Sequence, residues 1–242
     1  KISPAPPSEK GETTSSQSSE REKRGTVSSY LIRRAAILRL PTGTFQIENL
    51  PVGIMTGNQF GAVKVEEGPG LITYQALFDP QATIDSPPNE NDLSIPVDEQ
   101  PVIRQLAEEL ALTSKTPEEV LQTISLLFRK NFSYSLDLDR HVKDITPLAD
   151  FLLNSRNGHC EYFATATVLL LRVSGIPARY AAGYSVDVLN RPGKWTVVRG
   201  RDAHAWTLVY LNGTWHDFDT TPPSWRPIEN AAASPFEWFS DL

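Results

Sequence analysis

Cys160, in the stretch NGHCEYF, is the only cysteine among 242 residues. An isolated cysteine is most often a small buried hydrophobe. This one directly follows Gly158 and His159 and opens a long apolar run, ATATVLLLRVSGIP, with helical length. That puts the thiol in a first helical turn, where unpaired N–H groups and the positive end of the helix dipole stabilise a thiolate. A structural cysteine would fit better mid-helix, among Leu169, Leu170 and Leu171. The position suits a nucleophile, and nucleophilic acyl transfer also needs a base and a group that orients the base.

The chain has four histidines: His141, His159, His204 and His216. Hairpin geometry sorts them. In LVYLNGTWHDFD, Asn212-Gly213 lies between two alternating runs and signals a two-residue turn. Leu211 then pairs with Thr214, which sets Trp206 opposite Asp219 and His204 opposite Thr221. His204, Trp206, Asp219 and Thr221 share one face, with His204 and Asp219 as diagonal neighbours about 7–8 Å apart. His216 falls on the other face. Asp217 shares the His204 face but pairs with Leu208, a step further away. His159 is next to Cys160 in sequence, but its side chain is expected to leave the helix in another direction. A zinc site built on His159 and Cys160 lacks paired Cys or His at metal spacing, and no acidic loop has EF-hand spacing. Neither a metal nor another cofactor is expected.

The elements that must hold these residues follow from patterning. Residues 1–29 are rich in Ser, Pro, Glu and Lys and read as a disordered tether. Residues 30–98 read as a β-rich module, with short runs such as GTFQIENL, GAVKVEE and LITYQALF, followed by an acidic connector over 79–98. Between Lys64 and Arg104 there are eight carboxylates and no Lys or Arg, a pattern typical of solvated surface. Helices are predicted over PVIRQLAEELAL, over TPEEVLQTISLLFRK with a Thr116–Glu119 capping box, over TPLADFLLNSR, and from His159 or Cys160 to a stop at Gly175-Ile176-Pro177. Strands are predicted at ARYAAGYSV, KWTVVR, HAWTLVYL and TWHDFD. A net charge of −6 and a pI near 5.3 disfavour nucleic acid as a partner. No apolar run approaches the ~20 residues of a membrane span, and a single cysteine forms no internal disulfide.

The stretches NGHCEYFATATVLLLRVSGIPARYAAGY and DAHAWTLVYLNGTWHDFDTTP together resemble the transglutaminase-like core of the papain-like superfamily. They carry a Cys opening a buried helix, a Gly-Ile-Pro-Ala-Arg exit, an Ala-His-Ala-Trp strand and an Asp before Thr-Pro. The usual Asp-Pro-Thr-Pro stands here as Asp219-Thr220-Thr221-Pro222, which keeps the Asp. The resemblance implies an α+β fold, a central helix packed on an antiparallel sheet, over residues 99–225, preceded by the small β-rich module. It also implies Cys160, His204 and Asp219 as a catalytic triad and a protein or peptide carboxamide as substrate. A thioester would pass to an amine, as in a protein-glutamine γ-glutamyltransferase. Hydrolysis by the same triad, or a non-catalytic peptide- or glycan-binding groove, are the alternatives. The family implies an oxyanion site from the Cys160 N–H and an upstream donor. Tyr134 is the candidate donor, with Trp206 a further candidate for substrate contact. A closer resemblance is to bacterial membrane proteins with an extracytoplasmic transglutaminase-like domain. On that resemblance the chain is the soluble part of a membrane-anchored protein, and residues 226–242, ending SPFEWFSDL, are a tail leading to a last membrane helix.

Overall fold

In the computed structural model, which describes residues 22–82, 85–138, 142, 144–186 and 196–233, the chain divides into two units, Lys1–Ser86 and Pro87–Leu242. Residues 1–21 of the expected tether and the stretch SPFEWFSDL lie outside the described residues.

The first unit is built from two three-stranded antiparallel sheets. One has the order β1 (Lys23–Tyr30), β6 (Leu71–Phe78), β3 (Thr44–Glu48). The other has the order β2 (Ala36–Ile37), β5 (Val63–Glu66), β4 (Ile54–Gly57). Leu31, Leu38, Val65, Ile72 and Tyr74 form its core, and the Tyr74 hydroxyl donates to the Arg39 carbonyl at 3.0 Å. Burial pushes that phenol up to about 12.

Strand β1 corrects the tether boundary. Residues 23–29 are paired along their whole length with β6, from Lys23 opposite Phe78 to Tyr30 opposite Leu71. The strand is polar because it is an edge that buries little. Polar contacts still cross the pair, with the Ser28 and Thr73 hydroxyls 2.9 Å apart and Arg24 donating to Gln75 at 2.9 Å.

The second unit begins with a further correction. The expected acidic connector contains a 3₁₀ turn, Glu90–Leu93, capped by the Asn89 side chain. Asp92 in that turn is buried and forms a two-pronged pair with Arg179, Nε to Oδ1 at 2.9 Å and Nη2 to Oδ2 at 2.9 Å. The Arg179 guanidinium lies 4.0 Å from the centre of the Trp215 ring. One of the eight carboxylates is therefore a core residue, and the turn belongs to the unit that carries Arg179.

The helices follow their sequence signals. They are α1 (Gln100–Glu109), α2 (Pro117–Asn131), α3 (Pro147–Asp150) running into a π-helical turn at Phe151–Ser155, α4 (Cys160–Val173) and α5 (Trp225–Ala232). Thr116 and Glu119 form the expected capping box at the start of α2. Helix α4 is buried on most faces, through Phe163, Ala164, Ala166 and Val168 to Leu171. Each fully buried aliphatic side chain there contributes about 1.5–3 kcal/mol. The helix stops in a Schellman arrangement, with Ile176 N–H on the Leu171 carbonyl, Gly175 N–H on that of Arg172, and Gly175 at φ +76°.

Helix α4 packs against an antiparallel sheet of order β11 (Thr214–Phe218), β10 (Ala203–Leu211), β9 (Ala178–Tyr184). A short parallel pair joins β7 (Ser133–Tyr134) to β8 (Asn157–Gly158). The fold is α+β, with a central helix on an antiparallel sheet. Of the expected strand KWTVVR, residues 196–199 are described and do not adopt strand structure.

Candidate active site

His159 caps α4 with an extended backbone, φ −92° and ψ 178°, and Cys160 is the first helical residue. The strand β8 just before it pairs with β7, setting Tyr134 opposite Gly158 and so beside the start of the helix. Gly158 is closely enclosed. A Cβ there would come within 3.1 Å of the Phe151 ring and of the Tyr162 Cβ.

The hairpin has the register expected of its turn. Asn212 and Gly213 both have positive φ, 52° and 86°, as a type I′ turn requires. Pairing runs from Leu211–Thr214 to Thr207–Phe218 and then ends, freeing Asp219 to turn towards His204. The Asp219 Oδ2 lies 2.7 Å from the His204 Nε2, and the Thr221 N–H donates to Oδ1 at 2.9 Å. Two buried hydroxyls tie these parts to the helix. Thr207 donates to the Ala164 carbonyl at 3.2 Å, and Thr167 and Thr220 meet at 2.7 Å. Helix, strand and loop are thereby locked together around Cys160, His204 and Asp219.

Charge in the site is polarised. Although burial pushes the Cys160 thiol up, hydrogen bonds from the His159 and His204 side chains and the Ala205 N–H outweigh it and hold the thiol down at about 6. Burial opposes charge on His204, but the hydrogen bond to Asp219, and then that to Cys160, raise it to about 9. Asp219, at the rim, is partly desolvated, yet bonds from His204 and the Thr221 N–H keep it below the usual carboxylate range. With Nε2 taken by Asp219, the buried Nδ1, which has no hydrogen-bond partner, is the nitrogen left for the thiol.

Two aromatic rings lie nearly parallel to the imidazole: Trp225 with centroids 4.3 Å apart, and Trp206 at 6.3 Å. The Trp206 indole donates to Asp217 Oδ1 at 2.7 Å, so Asp217 is bound to the tryptophan and not to His204. Trp206 does not line the cleft. It packs over Gly183, where a Cβ would come within 3.0 Å of the ring.

The cleft beside Cys160, about 540 Å³, is lined by Leu136, His159, Glu161, Tyr180, Tyr184, His204 and Glu229 among others and, among the described residues, by no Lys or Arg. The Tyr134 hydroxyl reaches it indirectly, by donating to Glu229 Oε1 at 2.5 Å.

Three residues in this site depart from the sequence reading. His159 does reach the thiol, and that bond, against the opposing effect of burial, raises its own pKa. Trp225 and Glu229 sit on α5, most of which falls in the stretch expected to be a tail. The available signal was the Trp225–Ile228 spacing, an apolar pair on one helical face. His216 bonds the Thr214 hydroxyl of its own strand at 2.8 Å, and His141 lies outside the described residues. Among the described residues, no group of three or more His, Cys, Asp or Glu is placed to hold a metal.

The model of the transglutaminase-like superfamily matches residues 104–220. This part of the chain belongs to that superfamily. The chain is 34% identical over 127 residues to a protein-glutamine gamma-glutamyltransferase of Pseudomonas aeruginosa, covering 52% of this chain and 19% of that protein. An uncharacterized protein of Bacillus subtilis, YebA, is 34% identical over 84 residues, covering 33% of this chain and 11% of its own length. The chain thus spans less than a fifth of either relative. The periplasmic domain of TgpA from Pseudomonas aeruginosa shares the fold, with a TM-score of 0.68 at 24% identity over 85% of this chain and 73% of that one.

Proposed function

We propose that the transglutaminase-like core is a thiol acyltransferase in which Cys160 is the nucleophile, His204 the proton shuttle and Asp219 its orienting carboxylate. The observation that carries this reading is the His204 ring, bonded through Nε2 to Asp219 at 2.7 Å and interacting on its other side with a helix N-terminal thiol. The Cys160 thiolate attacks a carboxamide carbon, and the carbonyl π pair moves onto oxygen. As the C–N bond breaks, His204 gives its proton to the departing nitrogen, and ammonia leaves a thioester on Cys160. An amine then attacks, His204 takes its proton, and the C–S bond breaks to restore the thiolate. Preorganised donors for the oxyanion would supply several kcal/mol of barrier reduction.

Peptide or protein carboxamides are the proposed donors, in line with the name of the Pseudomonas aeruginosa relative. An extracytoplasmic setting, as part of a membrane-anchored bacterial protein, is proposed from the periplasmic origin of the TgpA domain that shares the fold. The test is incubation with a glutamine-containing peptide and a fluorescent primary amine. Ammonia release and amine incorporation should both appear, and both should vanish in Cys160→Ala. Ammonia release without incorporation would make the protein a hydrolase. No turnover and no trapped thioester would remove the enzymatic reading.

A further inference from the structure

We infer that Glu229 is a positioning residue that closes the oxyanion site of the resting protein by holding the Tyr134 hydroxyl, and that an acyl donor must displace it. The inference rests on the acyl-transfer reading above. A tyrosine hydroxyl has a single proton to donate. Here that proton goes to Glu229 Oε1 at 2.5 Å, so it cannot also serve a carbonyl oxygen developing charge over Cys160. The Tyr134 hydroxyl is thus consumed by the Glu229 carboxylate.

Charge reinforces the closure. Glu229 lines the same cleft as Cys160, and a fixed carboxylate there opposes the negative charge that builds on the carbonyl oxygen. Burial and the bond to Glu229 raise the Tyr134 phenol well above its ordinary value, so it stays a neutral donor once released.

The mounting of Glu229 makes displacement feasible without unfolding. Helix α5 is anchored in its first turn, where Trp225 stacks on His204 at 4.3 Å and Arg226 Nη2 donates to the Ser185 hydroxyl at 2.5 Å. Glu229 follows one turn later, half-buried, so rotating its side chain suffices to free Tyr134.

The experiment compares two reactions of Cys160 in the full chain. Acylation by p-nitrophenyl acetate passes through an oxyanion, whereas alkylation by iodoacetamide does not. Glu229→Ala should speed the acylation burst by about tenfold or more, the scale of one charge-assisted hydrogen bond. Alkylation should stay within about twofold, because a helix N-terminus and two histidines still set the thiol. Adding Tyr134→Phe to Glu229→Ala should abolish the gain, since no hydroxyl remains to be freed. Glu229→Gln, which keeps the shape and fold, should move acylation in the same direction by less. An acylation rate unchanged or lowered in both Glu229 variants, with alkylation intact, would overturn the inference and leave the acyl-transfer reading standing. So would a gain that survives Tyr134→Phe. A Cys160 that alkylates but forms no acyl-enzyme in any of these proteins would overturn both.

Discussion

A thiol at about 6 facing an imidazole at about 9 leaves Cys160 and His204 as a thiolate–imidazolium pair at every pH between those values. The two limbs belong to the coupled pair. As pH falls through about 6 the thiolate takes up a proton and the nucleophile is lost; as pH rises through about 9 the imidazolium loses the proton it must give the leaving nitrogen. The profile of kcat/KM should therefore be bell-shaped with limbs near those values. Alkylation, which needs the thiolate alone, should rise through the acid limb and show no fall on the alkaline side. His204→Ala and His159→Ala should each move the alkylation midpoint upward, because both side chains hold the thiol down. The sequence made Cys160 legible because an apolar run fixes where a helix begins. It misplaced His159 for a local reason. A cap residue has extended φ and ψ, so the direction of its side chain does not follow the helical periodicity from which it was argued.

At the scale of elements, one turn set the outcome. Asn212-Gly213 fixes the register, and a slip of one residue would have put His204 on the opposite face. The observed pairing of Leu208 with Asp217, together with the Asp219–His204 bond, makes a direct contrast. Asp219→Asn removes the charge that holds the imidazolium. Activity should fall by about 10²–10⁴-fold with the fold retained, and the alkaline limb should move down from about 9. Asp217→Asn should stay near wild type, because the amide oxygen can still accept from the Trp206 indole. Turnover of the two single variants checks this, and a dead Asp217→Asn beside an active Asp219→Asn would overturn the assignment. Elements without such a covalent fix were harder to read. Strand β1 hid because an edge strand can be paired along its length by main-chain bonds while presenting Lys, Arg, Ser and Thr. Helix α5 was overlooked because its two large apolar residues, Trp225 and Ile228, are too few to separate a docked helix from a tail.

At the scale of the whole chain, the division into a β-rich module and a transglutaminase-like core was visible from composition, but its boundary was not. Composition marks residues 79–98 as acidic and hence as connector, whereas a single buried ion pair assigns part of that stretch to the core. Asp92 meets Arg179 across a sequence separation that no local pattern records, and the break between units falls at Ser86–Pro87 and not at 98–99. The two boundaries predict different proteins. A chain starting at Pro87 keeps Asp92 against Arg179. A chain starting at residue 99 removes Asp92 from that guanidinium, with Trp215 still against it. Removing one partner of a buried pair costs about 3–5 kcal/mol. The lower end applies here, because the cation retains its aromatic neighbour. For a unit of this size, about 3 kcal/mol lowers Tm by roughly 10 °C. Thermal unfolding of the two truncated proteins measures the difference directly. Asp92→Ala in the longer one should reproduce most of the loss, which ties it to the pair and not to the missing chain. Equal Tm values for the two truncations would return the turn at Glu90–Leu93 to the connector.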